Sequence, residues 1–349
     1  MTNKIFISLL IFLPIALIAK FLGIPDVYVF FISALAIVPL AKYLGEATEE
    51  IAGRSGPAVG GLMNATLGNA TELIIGILAL EKGLIEVVKA SITGSIIGNL
   101  LLVLGMAMFF GGLKEKKQTF NVTAARAGAS TLLVGVISLV IPAIFLITSP
   151  NTSPKVIQNL SLFVAASMIL VYIAGLLFSL YTHKHLYLDE VIKYEPKWSR
   201  AKGIVVLCLS TLGVVLMSDI LVNSISGAIN SLGWSQLFIG VVILAIIGNI
   251  AEHASSVSVA LKNRMDLSLQ ISFGSATQMA MLVAPALVII SLFLPYKMNL
   301  IFNIFELVAI ILSVFIANAI IEDGESNWLE GIQLVIAYAI MAVAFFFHP

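Results

Sequence analysis

Long apolar runs that do not alternate constrain this chain more than anything else in it. Stretches such as Ile96–Phe110 and Leu282–Leu294 are apolar at nearly every position, whereas a strand of a membrane barrel alternates apolar and polar side chains. Such runs recur through the 349 residues, of which 60% are hydrophobic and only 11% charged. A water-soluble domain carries about 25% charged residues. A soluble enzyme, a disordered chain and a disulfide-stapled secreted scaffold are therefore excluded. The fold class that remains is an all-α polytopic membrane protein. At about 20 residues per crossing, the apolar segments resolve into eleven transmembrane helices, over 4–22, 26–44, 57–80, 84–112, 121–147, 156–181, 203–229, 235–261, 266–294, 299–321 and 327–347. The first has only Lys4 before it and no clear small-residue cleavage site, so it reads as a helix rather than a signal peptide.

The charges balance, 19 Lys and Arg against 19 Asp and Glu, and imply no nucleic-acid partner. The one cysteine, Cys208, lies in an apolar run with no Cys or His cluster from which to build a thiolate metal site. Lys and Arg divide unevenly between the loops, 14 on the side of the N-terminus and 5 on the other. Because basic loops stay inside, the N-terminus is expected in the cytoplasm and the C-terminus outside. The short loops suit a plasma membrane. A homo-oligomer is left open.

The polar residues that interrupt the apolar runs follow a pattern. Gly68-Asn69-Ala70-Thr71-Glu72 is similar to Gly248-Asn249-Ile250-Ala251-Glu252, 180 residues later. The same offset pairs Gly60 with Gly240, Gly94 with Gly274 and Ser95 with Ser275. Six matched pairs at one gapless offset indicate an internal repeat. Five helices separate the starts of the halves, and five is odd, so the halves run through the membrane in opposite senses. The expected division is an extra N-terminal helix (1–25), a first repeat (26–181), a cytoplasmic linker (182–202) and a second repeat (203–349). Inverted repeats of this kind mark secondary transporters, with the substrate site near the midplane where the repeats meet.

Glu72 and Glu252 fall near the middle of their apolar segments, and a carboxylate inside a bilayer costs several kcal/mol unless it is used. Two such carboxylates brought together in low dielectric must bind a cation, take up protons, or do both. Their neighbours suit a hard divalent ion: Asn69 and Asn249 lie one turn before each Glu, and Ser95, Asn99, Ser275 and Gln278 supply further oxygens. Calcium takes six to eight oxygen ligands in flexible geometry, and the lack of a thiolate or His-rich set weighs against zinc and copper. The glycines beside each Glu either let helices approach closely or let the helix break and turn carbonyls inward. Asp219, Asn223 and Ser226 share a helix face that lines a water path or seals an interhelical seam. Glu306 is a proton-path residue or a structural partner, and His253 tunes the site or packs. Glu46, Glu49 and Glu50 share a face on the cytoplasmic side and either gather cations or are simply solvated.

Gly60–Glu72 (Gly-Gly-Leu-Met-Asn-Ala-Thr-Leu-Gly-Asn-Ala-Thr-Glu) and Gly248–His253 (Gly-Asn-Ile-Ala-Glu-His) resemble the two signatures of the calcium/proton antiporter family, within the cation/calcium exchanger superfamily. The segments Gly94-Ser95 through Asn99, Gly274–Gln278 and Asp323–Gly331 are similar to further stretches of that family. The resemblance implies eleven helices, a central calcium site on Glu72 and Glu252, and export of cytosolic calcium in exchange for protons. It also implies secondary ligand or proton-path roles for the serines and amides. Calcium and protons are then substrates, with no cofactor, and the chain is not an enzyme. Gln278 stands where sodium/calcium exchangers tend to carry an acidic residue, which favours proton coupling. The loop with Asp189, Glu190 and Glu195 among five Lys and Arg lacks the strongly acidic stretch of some members. Sodium/calcium exchange, manganese/proton exchange and a passive cation channel are the rival readings. An intramembrane hydrolase is disfavoured, because Glu252-His253 is not an H-E-x-x-H motif.

Overall fold

A computed structural model describes residues 2–55, 57–183 and 197–348. The charged positions Lys184, Asp189, Glu190, Lys193 and Glu195 of the expected linker lie outside the described residues. The helices are α1 (Lys4–Phe21), α2 (Asp26–Ala52), α3 (Pro57–Leu67), α4 (Ala70–Glu81), α5 (Ile85–Lys114), α6 (Val122–Thr148), α7 (Pro154–Thr182), α8 (Arg200–Leu232), α9 (Gln236–Gly248), α10 (Ile250–Ala260), α11 (Met265–Ser291), α12 (Ile304–Ile320) and α13 (Trp328–Phe347). Among the described residues, eight helices are long and apolar enough to cross a membrane, and α9 with α10 forms a ninth candidate span bent by 58°. The two remaining segments of the expected eleven are the 17-residue α12 and the pair α3–α4, which is interrupted at Gly68 and Asn69.

The fold turns its apolar surface outward as well as inward. Phe163, Leu170 and Phe315 are each more than two-thirds exposed, as befits faces solvated by lipid tails, where every backbone polar group is satisfied within a helix. The core is built where helices close on one another, chiefly α2 on α8, α5 on α9 and α13, and α10 on α11.

Loop contacts sort the two ends of the molecule. At one end β1 (Gln118–Thr119) pairs antiparallel with β2 (Glu325–Ser326). There Gln118 Nε2 donates to the Ala260 carbonyl, Asn121 N donates to Asp266 Oδ1, and the Glu50 carboxylate accepts from the Lys197 and Trp198 amides. At the other end Lys20 pairs with Asp219, and Lys89 Nζ donates to Asn299 Oδ1 and the Ile301 carbonyl. These are the two groups of loops that the Lys and Arg count separates. The contacts also fix direction. The chain passes from the end of α4 straight into the start of α5, whereas α10 ends beside Gln118, just past the end of α5. The two glutamate-bearing helix pairs therefore run in opposite senses.

Irregular backbone recurs at the sequence offset. The α3–α4 break at Gly68–Asn69 matches the α9–α10 break at Asn249. A π-helical stretch at Gly98–Val103 in α5 matches one at Met279–Val283 in α11. Such insertions concentrate at functional sites, because they free backbone groups and re-aim side chains.

Candidate functional site

Both glutamates sit where a helix restarts. Asn69 and Asn249 occupy the N-cap positions of α4 and α10, with φ of −102° and −92°, and Glu72 and Glu252 are each the third residue beyond. The sequence expectation placed each Glu in mid-helix. The break puts it instead in the first turn of a half-helix, where the amide dipoles favour negative charge. An N-cap asparagine ordinarily accepts a bond from its own helix, but neither of these side chains does. Both reach across the molecule.

They reach into a single network that joins the two halves. Asn99 Nδ2 lies 2.9 Å from Asn249 Oδ1, from Ser275 Oγ and from the Ser95 carbonyl. Asn249 Nδ2 donates to Ser95 Oγ at 2.9 Å. Ser275 Oγ comes within 3.4 Å of Asn69 Oδ1, and Asn69 Nδ2 donates to Gln278 Oε1. All six neutral candidates from the sequence are thus in mutual contact, and all but Gln278 are buried.

The carboxylates stand apart from this bonding. Glu72 is buried, and among the described residues neither of its oxygens has a hydrogen-bond partner; the same holds for Glu252 Oε2 and Asn99 Oδ1. Glu72 packs against Gly248, where a Cβ would meet its carboxylate carbon at 3.3 Å. Gly248 lies one turn before Glu252, which is itself within electrostatic reach of both Glu72 and Glu49. An ionised carboxylate and an amide oxygen only accept. Burying them without donors is costly, and a hard cation or protons on the carboxylates would remove that cost.

The surroundings differ between the two ends. Toward the Lys20 end, the space beside Glu72 narrows to a cleft of about 10 Å³, lined mostly by apolar side chains that include Ile75, Val87, Leu244 and Leu287. It is shut by a glycine contact: a Cβ on Gly94 would run into the backbone of Val241, and one on Gly240 into Ala90 Cβ and the Val87 carbonyl. The matched Gly274 has nothing within 4 Å of its Cβ position. Toward the Gln118 end, Glu252 is only partly buried, and Ala254, Ser255 and Ser258 on the next turns are exposed. A separate cavity of about 420 Å³ opens between α6, α7 and α11 and reaches inward to Tyr172 and Gln278.

The remaining sequence candidates lie elsewhere. His253 is buried on α10, outside the network. Asp219 is half-exposed and holds Lys20 at 3.1 Å and Asn223 at 2.9 Å. Glu306 is fully buried and satisfied: it accepts from Thr93 Oγ1 at 3.0 Å and closes a capping box with Asn303. Glu46 pairs with Lys42 and Glu50 binds the backbone before α8, which leaves Glu49 as the exposed member of that face. The sequence reading missed Tyr172. Its signal is a tyrosine inside an apolar helix, whose hydroxyl needs a partner or water.

The family model described as "sodium/calcium exchanger protein" matches residues 26–181 and 202–347. A Ca(2+)/H(+) antiporter of Synechocystis sp. is 50% identical over 99% of this chain and 98% of its own length. The Ca(2+)/H(+) antiporter ChaA of Bacillus subtilis is 44% identical, covering 99% of each chain. Among solved structures, native YfkE superposes with a TM-score of 0.87 at 41% identity, over 98% of this chain and all of that one.

Proposed function

This chain belongs to the sodium/calcium exchanger protein family, and on that premise we propose that it is a secondary antiporter exporting cytosolic calcium in exchange for protons. It is a transporter rather than an enzyme, and calcium is its substrate, not a cofactor. The observation that carries this reading is the pair of carboxylates at two matched helix breaks, Glu72 buried and Glu252 partly buried, three of whose four oxygens have no hydrogen-bond partner among the described residues. Around them stand the oxygens of Asn69, Asn249, Ser95, Asn99, Ser275 and Gln278. Two negative charges match one divalent ion, and amides, hydroxyls and loosened carbonyls complete a hard-oxygen set. The names of the relatives, which describe calcium/proton antiporters, favour the same substrates.

The coupling follows from electrostatics. Calcium binds when both carboxylates are charged and leaves when protons replace it. Carrying the empty, doubly charged site through the low-dielectric interior is disfavoured, so neither flux proceeds without the other. Two interacting carboxylates of this kind titrate as a unit.

The inverted repeat supplies the movement. The chain is read as eleven crossings, one extra helix and two five-helix repeats, and the two separate stretches matched by the family model support that division. In the conformation described here α5 closes on α9 through Gly94 and Gly240, while the mirrored contact, α11 through Gly274 on α3 through Gly60, is not made. Exchanging the closed contact for its mirror image would expose the site to the opposite side. The positive-inside rule makes the Gln118 end cytoplasmic, in a plasma membrane, so this conformation faces inward.

The test is calcium uptake into proton-tight vesicles holding the purified protein, with an imposed pH gradient and no sodium. Uptake that follows the gradient is expected. A requirement for sodium would move the protein to sodium coupling, preferred uptake of manganese would reassign the cation, and flux without any counter-ion gradient would indicate a channel.

A further inference from the structure

We propose that protons and the divalent cation approach the site from the Gln118 end by different routes: protons through the cavity between α6, α7 and α11, and the cation along the α10 face beside Glu252 and Glu49. The inference rests on the exchange reading above and adds a path to it.

The cavity is built differently from the face that bears the carboxylates. Asp266, Gln270, Gly274 and Gln278 follow one another at four-residue intervals on α11 and all line it, so one face of a membrane helix is polar or minimal from its mouth to the site. Packing alone does not require that face. At the matched positions of α5 the residues are Glu86, Ala90, Gly94 and Gly98, and there Ala90 and Gly94 are pressed against α9. At the deep end, the buried Tyr172 hydroxyl comes up to the side-chain amide of Gln278. Gln278 in turn accepts from Asn69, one turn before Glu72.

Among the described residues, the titratable side chains lining the cavity are Asp266 at its mouth and Tyr172 at its depth. Asp266 already accepts the Asn121 amide. Inward of the mouth, the lining is neutral throughout: amide and hydroxyl groups among small residues and the apolar side chains of Leu176, Leu269 and Phe273. A divalent ion passing there would shed water with no countercharge beside it, which is expensive in a low-dielectric wall. A file of waters needs only neutral hydrogen-bonding groups, and the cavity has both the room and a donor and acceptor at its end. Glu252 does not line the cavity. It is partly exposed on another face of the molecule, together with Ala254, Ser255 and Ser258, within reach of the exposed Glu49. Carboxylates therefore mark one approach and neutral groups the other.

The experiment plugs the cavity after folding. In a Cys208→Ser background, which removes the one native cysteine, Gly175→Cys and Gly128→Cys place a thiol in the cavity. A Cβ at Gly175 meets nothing within 4 Å, and at Gly128 it meets only Phe273 Cβ at 3.9 Å. Vesicles are treated with an anionic sulfonatoethyl methanethiosulfonate, and two fluxes are read. One is calcium uptake driven by a pH gradient, and the other is calcium/calcium exchange at equal pH, which needs no net proton movement. Modification is expected to abolish the first and leave the second. Loss of both fluxes together, or survival of proton-driven uptake after complete modification, overturns the separate route. A parent protein without any proton-driven uptake overturns the functional reading and this inference with it.

Discussion

The sequence contains the pattern Asn-x-x-Glu in two settings, and the structure uses it in opposite ways. At Asn303/Glu306 and Asn327/Glu330 the asparagine caps its own helix and the glutamate reaches back to the asparagine amide, closing a capping box. At Asn69/Glu72 and Asn249/Glu252 the residues hold the same positions relative to a helix start, yet neither asparagine caps its helix. The outer pairs close their capping boxes locally. Glu306 is completely buried, but both of its oxygens are bonded. Glu72 is almost as buried, and neither oxygen is. The outer boxes stabilise two helix starts. In the central pairs the amides are drawn into a network between the halves, and three of the four carboxylate oxygens have no hydrogen-bond partner among the described residues. Local sequence proposes the cap, and tertiary context decides whether it forms.

The sharpest way to break this comparison is to neutralise all four glutamates in turn. Glu72→Gln and Glu252→Gln each remove a unit charge from the proposed calcium site. Between a unit charge and a divalent ion about 4 Å apart, at an effective dielectric near 20, that is about 8 kcal/mol, and half of it already means roughly a thousandfold in calcium affinity. Uptake should fall to background in both, with the protein still folded. Glu306→Gln and Glu330→Gln should keep uptake, since an amide can still accept the capping bond. Retained uptake in Glu72→Gln or Glu252→Gln sinks the paired-carboxylate site.

A second pair of substitutions sharpens the contrast between the halves. Gly94→Ala forces a methyl against the Val241 backbone and should cost about 1–3 kcal/mol of stability, read as a lowered Tm in detergent. Gly274→Ala adds its methyl to open space and should leave Tm unchanged or slightly raised, by under about 1 kcal/mol. It should slow exchange by obstructing the mirrored contact. Equal Tm losses would show that the two glycines are packed alike.

Asn303→Ala and Asn327→Ala remove true caps and should lower stability by about 1 kcal/mol each, with calcium affinity unchanged. Asn249→Ala, by contrast, should weaken calcium binding. The smallest effect is expected at Asp219→Asn. Its ion pair with Lys20 is roughly half-exposed, is worth under about 1 kcal/mol and should weaken further with salt. Uptake in that variant should match the parent.

Much of this was legible beforehand because membrane helices leave few polar residues to interpret. The 180-residue offset brought out Glu72, Glu252, Asn69, Asn249, Ser95 and Ser275, and the structure joins the amides and serines with Asn99 and Gln278 in one network. The helix breaks were legible only as one of two readings of the glycines, whose packing role looks the same in sequence, and the π-helical stretches, one of which (Met279–Val283) contains no glycine, were not legible. The closure of one end was hidden for a different reason. Matched glycines give both halves the same pattern, so only coordinates tell that Gly94 is in contact and Gly274 is not. The structural use of Glu306 was available from the Asn303-x-x-Glu306 spacing, a capping-box signature. Asp219 lacked a counterpart, its matched position being Pro39, and its partner Lys20 comes from the helix outside the repeat.

The central claim is that one pair of carboxylates holds either calcium or protons. It is tested most directly by titrating calcium into the purified protein calorimetrically, in two buffers of different ionisation enthalpy at one pH. The account predicts that binding releases protons, so that the heats differ between buffers, and that Glu72→Gln abolishes both binding and release. Calcium binding with the same heat in both buffers would mean that no proton leaves, and would contradict a shared site.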